Sequence, residues 1–184
     1  MKRLGGLAIA LLCSASALAE GYRNCQQDWQ LPHAPPSRIV ALNQHAADML
    51  LALGAGPALV GVAYLDDNGA AHKQGRYFGV PVIAPRYPAS EVLYGQRPDL
   101  VVGGFATAFG NGITSRTGLA GNGVGSYLLG SACAGRSLDY FGHIRTDLLT
   151  LGNLLHKPQR ARDLIEALDA DLASAQALAK PAKP

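Results

Sequence analysis

The chain has 184 residues, enough for one ordinary domain with a sizeable core. Of these, 48% are hydrophobic and only 16% charged, which excludes an intrinsically disordered chain and suits a globular α/β domain. The formal charge of +3 falls to +1 once Lys2 and Arg3 are set aside, a balance without an electrostatic footprint for nucleic acid.

Residues 1–19 read as a secretory signal. Lys2 and Arg3 form a short positive region, residues 4–12 an apolar stretch too short to span a bilayer, and Ala17-Leu18-Ala19 a small-residue cleavage site. The alternatives are a buried N-terminal helix and a lipid anchor at Cys13. The bulky Leu12 before that cysteine speaks against the anchor. Export places Cys25 and Cys133 in an oxidising, periplasmic space, where two cysteines allow one pairing. The expectation is a disulfide staple closing a loop of about 100 residues, worth roughly 4–5 kcal/mol in the chain-entropy model. Two free buried thiols or a metal site are the alternatives. The metal site lacks paired Cys/His spacing.

Residues 20–37 are polar and carry Pro32, Pro35 and Pro36, which predicts an extended lead-in. The lobe proper is expected over 38–136. Residues 38–42 predict a buried strand, and 46–53 a short helix stopped by Gly54. Further strands are expected at 58–63, 80–84, 99–103 and 126–129. Short helices are expected at 90–96, with Ser90 as a candidate cap, and at 114–120. Strands alternating with helices imply parallel pairing in an open, doubly wound α/β sheet, one Rossmann-like lobe, with ligands at the carboxyl ends of its strands. From 137 to 180 the pattern turns helical. Tyr140, Phe141, Ile144, Leu148, Leu151 and Leu155 form one stripe. A second helix opens at Pro158 with Ala161, Leu164, Ile165, Leu168, Leu172 and Leu178 on its apolar side. Residues 181–184 are a polar, helix-breaking tail.

Arg38-Ile39-Val40-Ala41-Leu42-Asn43, the helix to Gly54 and Val60-Gly61-Val62 resemble the opening of periplasmic, helical-backbone (class III) substrate-binding proteins of ABC importers for siderophores, haem and cobalamin. Glu91-Val92-Leu93 followed by Arg97-Pro98-Asp99-Leu100-Val101-Val102 resembles the family's next signature. Cys25, Cys133, Tyr87-Pro88 and Gly125-Ser126-Tyr127-Leu128 resemble a subgroup described as iron-complex binders. Asp48 departs from the family, where glutamate is more usual. The resemblance implies two lobes joined by a long rigid helix, with the ligand between them. The helix from Pro158 is similar to that connector, and this chain ends after it, so one lobe is expected without its second. It also implies that Glu91 faces arginines of a membrane permease. The other reading of Glu91 is a carboxylate that only favours the helix dipole.

Candidate ligand residues cluster at strand ends. His45 opens the first helix, where a chelate's polar groups would meet it; the alternative is a capping or solvated histidine. Tyr64, Asp66 and Tyr87 lie in strand-end loops. The tyrosines suit pocket walls, and a tyrosinate also ligates haem iron, though a lone loop tyrosine is thin evidence for haem. Phe105 and Phe109 either line the same cleft or pack beneath it. Arg116 suits the negative charge of a ferric siderophore, or is simply solvated. His33, His45, His72, His143 and His156 show no HxxxH or HxH spacing, so His143 reads as a satisfied structural histidine and no resident metal or cofactor is expected. Glycines 121, 123 and 125 lack the Lys-Ser/Thr of a phosphate loop, and no nucleophile elbow or paired-carboxylate motif suggests an enzyme. The expected function is capture of an iron chelate or corrinoid for a permease. The alternatives are a one-lobed protein that docks without a ligand and a metal-chelate-processing enzyme. With one lobe, weak binding or none is expected, as is self-association through the uncovered stripe at Leu164, Ile165, Leu168 and Leu172.

Overall fold

The structure is a computed structural model that describes residues 19–66, 70–77, 79–110 and 114–179. The stretch expected to be a signal, apart from Ala19, and the tail at 181–184 lie outside the described residues. The β-branched and small apolar runs form parallel strands: β3 (Ile39–Ala41), β4 (Leu59–Ala63), β5 (Val82–Ala84), β6 (Leu100–Gly103) and β7 (Gly125–Leu128). Their spatial order is β5-β4-β3-β6-β7, so the chain winds outward from β3 to one side, then from β6 to the other. The direction reverses between β3 and β6. In such a sheet that reversal opens a crevice at the carboxyl ends of the strands.

Side chains alternate across the sheet, and helices cover both faces. Ile39, Ala41, Val62, Leu100 and Val102 pack against α1 (Gln44–Ala52), α5 (Tyr140–Leu154) and the start of α6 (Pro158–Ala179). Val40, Ala63 and Val101 point the other way, towards Leu93 of α3 (Ser90–Gly95) and Leu119 of α4 (Arg116–Gly121). A single-turn helix, α2 (Ala70–Lys73), lies between β4 and β5. Gly54 ends α1 in a left-handed conformation (φ +76°), with its N–H and that of Ala55 bonded back to Leu51 and Leu50. Ser90 is not a cap. The capping position of α3 is Ala89, which has no side-chain oxygen, whereas Ser115 and Asp139 do cap α4 and α5.

The lead-in is not simply extended. Residues 20–31 fold into an antiparallel hairpin, β1 (Glu20–Asn24) and β2 (Gln27–Leu31), turning at Cys25 and Gln26, both at positive φ. The inward side chains of β1 cover the open edge of β7. The Tyr22 hydroxyl donates to Ser126 O and accepts from Ser126 N–H; the Asn24 amide donates to Leu128 O and accepts from Leu128 N–H. Those four backbone groups would otherwise be an unpaired edge. Cys25 at the turn is disulfide-bonded to Cys133, 108 residues away, with Cα atoms 5.2 Å apart.

α5 and α6 cross tightly. A Cβ added at Gly152 would lie 2.5 Å from Cβ of Ala161, so only glycine fits. An Arg145–Asp169 ion pair adds to this hold, and Arg160 Nε donates to Ala52 O (2.8 Å), tying α6 to the end of α1. Farther out, Leu168 and Leu172 are half-buried and Leu178 is exposed. No helix among the described residues is long and apolar enough to cross a membrane.

On α5, Asp147 is 3% exposed. Its carboxylate accepts from Tyr127 Oη (2.8 Å) and from Gly130 N–H (2.9 and 3.0 Å). Burial raises its pKa from 3.8 to about 6, against the opposing pull of those donors and His143. The folded state therefore takes up a proton at higher pH than the unfolded state. Stability from this group rises as pH falls from about 6 to 3.8 and is lost again above it, a change on the order of 3 kcal/mol. Asp147→Asn stays neutral at every pH. Its stability relative to the parent, measured by urea unfolding, is expected to be most favourable at pH 7 and to fall by most of that amount at pH 4, whatever constant offset the altered hydrogen bonds add. A pH-independent difference would refute this account.

Candidate functional site

The crevice at the reversal point is organised by Asn43, which follows β3 and is fully buried. Its Oδ1 accepts from Gly104 N–H beyond β6 (2.8 Å), and its Nδ2 donates to the Tyr87 hydroxyl beyond β5 (3.3 Å). That hydroxyl lies 3.0 Å from Thr107 Oγ1. Asn43 occupies the capping position of α1, yet its side chain caps none of that helix's N–H groups. It is spent across the crevice instead.

His45, the second residue of α1, lies over Gly104. A Cβ there would come within 2.0 Å of the imidazole Nε2. Phe105, 44% exposed, meets that ring edge-on at 4.7 Å. The two line a cavity of about 730 Å3 with Ser131, Arg136, Tyr140 and His143, a volume in the range of small-molecule pockets. Beside it, Tyr64 and Tyr87 form a second edge-on pair at 5.1 Å, with the Arg86 guanidinium 5.6 Å from the Tyr64 ring. Tyr64 has a left-handed backbone (φ +50°).

The fold brings His45 and Phe105 into the cavity and gathers Tyr64 and Tyr87 next to it. Asp66 is exposed and does not line it. Phe109 packs under Gly103 against the core instead of lining the cavity. Arg116 also has a different place from that expected. Its guanidinium stacks 4.0 Å from the Trp29 ring centroid and donates to Ser126 Oγ (3.0 Å) and Ser126 O (2.9 Å). Burial draws its pKa down. It is a strut between hairpin and β7, already committed to protein partners.

The lining also includes residues that were not ligand candidates in the sequence, among them Tyr140, His143, Ser131 and Arg136. Tyr140 counted towards an apolar helical stripe but is 61% exposed in the first turn of α5. His143 does have a structural partner, Ser137 O at 3.1 Å from its Nε2, and also lines the cavity. Ser131 and Arg136 follow the carboxyl end of β7, and that position was their only available signal. Among the described residues, no three of His, Cys, Asp and Glu converge as a metal site, and the His72 side chain lies outside the described set.

No protein-family model matches the chain, and no curated protein does. Solved structures do. A periplasmic binding protein from Veillonella parvula has a TM-score of 0.72 at 19% identity, over 90% of this chain and 55% of that one. A protein of an ABC-type Fe3+-hydroxamate transport system from Saccharomonospora viridis has a TM-score of 0.67 at 25% identity, over 85% and 55%. The siderophore-binding protein BauB, bound to two acinetobactin molecules and ferric iron, has a TM-score of 0.68 at 17% identity, over 89% and 56%. The fold is that of a single lobe of class III periplasmic binding proteins, and the chain spans little more than half the length of the solved structures it matches.

The placement of Arg116 leads to a direct test. Arg116→Ala is expected to lower the unfolding free energy by about 1–3 kcal/mol and to shift the emission of Trp29, the only tryptophan. Unchanged stability with unchanged Trp29 emission would contradict the strut assignment.

Proposed function

We propose that this chain is the ligand-capturing lobe of an ABC importer's binding protein, exported to the periplasm and specific for an iron chelate or a corrinoid. The observation that carries this reading is the cavity at the chain-reversal point, walled by His45, Phe105 and Tyr140. Support comes from the fold and from two similar structures, one from a Fe3+-hydroxamate transport system and one holding ferric acinetobactin. Binding is the proposed activity, not catalysis. A flat chelate would stack on Phe105 and His45, while hydroxyl and imidazole donors meet its oxygens.

One sheet covers one side of such a ligand. Titration calorimetry with ferric hydroxamate and catecholate chelates and with cobalamin is expected to give dissociation constants in the micromolar range or weaker. His45→Ala and Phe105→Ala are expected to weaken binding several-fold further at unchanged folding. Absence of binding by every chelate at millimolar concentration would sink this reading in favour of a lobe that docks without a ligand. Chemical conversion of the added chelate would favour an enzyme.

Delivery requires a docking contact, for which Glu91 is our candidate. It is exposed in the first turn of α3. An exposed pair with a permease arginine is worth about 1 kcal/mol or less and is screened by salt. Glu91→Ala is therefore expected to weaken docking at low ionic strength and to make little difference at high. Equal docking of parent and variant at low ionic strength would remove Glu91 from the interface.

A further inference from the structure

Taken as a chelate site, the cavity carries a bias of charge. Its ionisable lining residues are Arg136, His45, His143 and Tyr140, with no carboxylate among them. The three acids nearest in sequence to the lining residues have other partners: Asp48, three residues after His45, lies 3.9 Å from the Arg76 guanidinium. Asp139 accepts from Gly142 N–H at 2.8 Å as the cap of α5, and Asp147 is buried beneath the turn, bonded to Gly130 N–H and Tyr127.

Arg136 differs from most other arginines in its freedom. Arg23, Arg76 and Arg145 each lie within 4.0 Å of a carboxylate, while Arg38, Arg116 and Arg160 donate to backbone carbonyls. Arg136 is exposed and has neither an ion pair nor a hydrogen bond among the described residues. A guanidinium presents a planar fork of donors that fits paired anionic oxygens. The start of α1, whose N–H groups the Asn43 side chain leaves uncapped, adds positive potential on the opposite wall at His45.

We propose that the cleft selects a chelate bearing net negative charge, such as a ferric catecholate or carboxylate complex, over a neutral ferric hydroxamate or corrinoid, and that Arg136 is the residue that reads the charge. This rests on the cavity being the chelate site. Arg116, the arginine that seemed suited to the task from sequence, is tied to Trp29 and Ser126, and Arg86 lies over the Tyr64 ring outside the lining; Arg136 is the guanidinium that lines the cavity.

Titration calorimetry of the mature chain with two probes tests this: a trianionic ferric tris-catecholate and a neutral ferric tris-hydroxamate of similar size. The anionic chelate is expected to bind about tenfold tighter at low salt, and the advantage to collapse near 0.5 M salt. Arg136→Ala is expected to cost the anionic chelate about tenfold and the neutral one less than about twofold, and Arg136→Glu to reverse the preference. Both substitutions lie on an exposed loop and are expected to leave the thermal unfolding midpoint unchanged. Equal affinity for the two probes, or equal loss for both in Arg136→Ala, would overturn the charge-reading role while leaving the cleft a chelate site. Failure of both probes to bind would overturn the chelate-site reading itself, and this inference with it.

Discussion

A buried amide must find partners for both its donor and its acceptor, and Asn43 finds them on opposite sides of the point where the chain reverses. Its oxygen holds the backbone of Gly104 and its nitrogen holds Tyr87, so the ends of β3, β5 and β6 are set against one another by one side chain. The position of Phe105 follows from that of Gly104. The imidazole of His45 then occupies the space that a Cβ at 104 would need. Two constraints, a satisfied amide and a missing Cβ, shape one wall of the cleft.

The other wall depends on how β7 is finished. Tyr22 and Asn24 supply by side chain the hydrogen bonds that another strand would supply by backbone. The disulfide extends this attachment past the strand to Cys133, immediately after the turn at Gly130–Ala132 that contributes Ser131 to the cavity. Asp147 holds the same turn from beneath. This single 3-10 turn is thus fixed from three directions, which allows it to serve as a wall.

Much of this was legible in the sequence because burial leaves a simple mark. β3, β4 and β6 are short β-branched runs, and their neighbouring helices carry apolar stripes, so the α/β alternation could be read directly. The hairpin was not legible. Its inward-facing residues include Tyr22 and Asn24, whose polar ends serve a strand over a hundred residues away, so its apolar alternation is weak. Arg116 misled for a similar reason. Its aromatic partner, Trp29, is remote in sequence, and only the fold shows that the guanidinium is occupied. Tyr140 and Phe141 fit helical periodicity, but periodicity does not reveal which turns of a helix find a surface to pack on.

The crossing at Gly152 and Ala161 has a mechanical consequence. α6 has 22 residues and is about 33 Å long; Ala161, Leu164 and Ile165 in its first two turns pack on the core, while farther out it keeps only the half-buried Leu168 and Leu172 and the Arg145–Asp169 ion pair. Its far end therefore behaves as the tip of a lever whose bearing is that crossing. With an arm of about 27 Å from Ala161 to the end of the helix, a tilt of about 5° at the bearing displaces the tip by about 2 Å. The close approach of the two backbones, possible only with glycine at 152, leaves little play in the bearing and so sets the angular precision with which the distal helix is aimed.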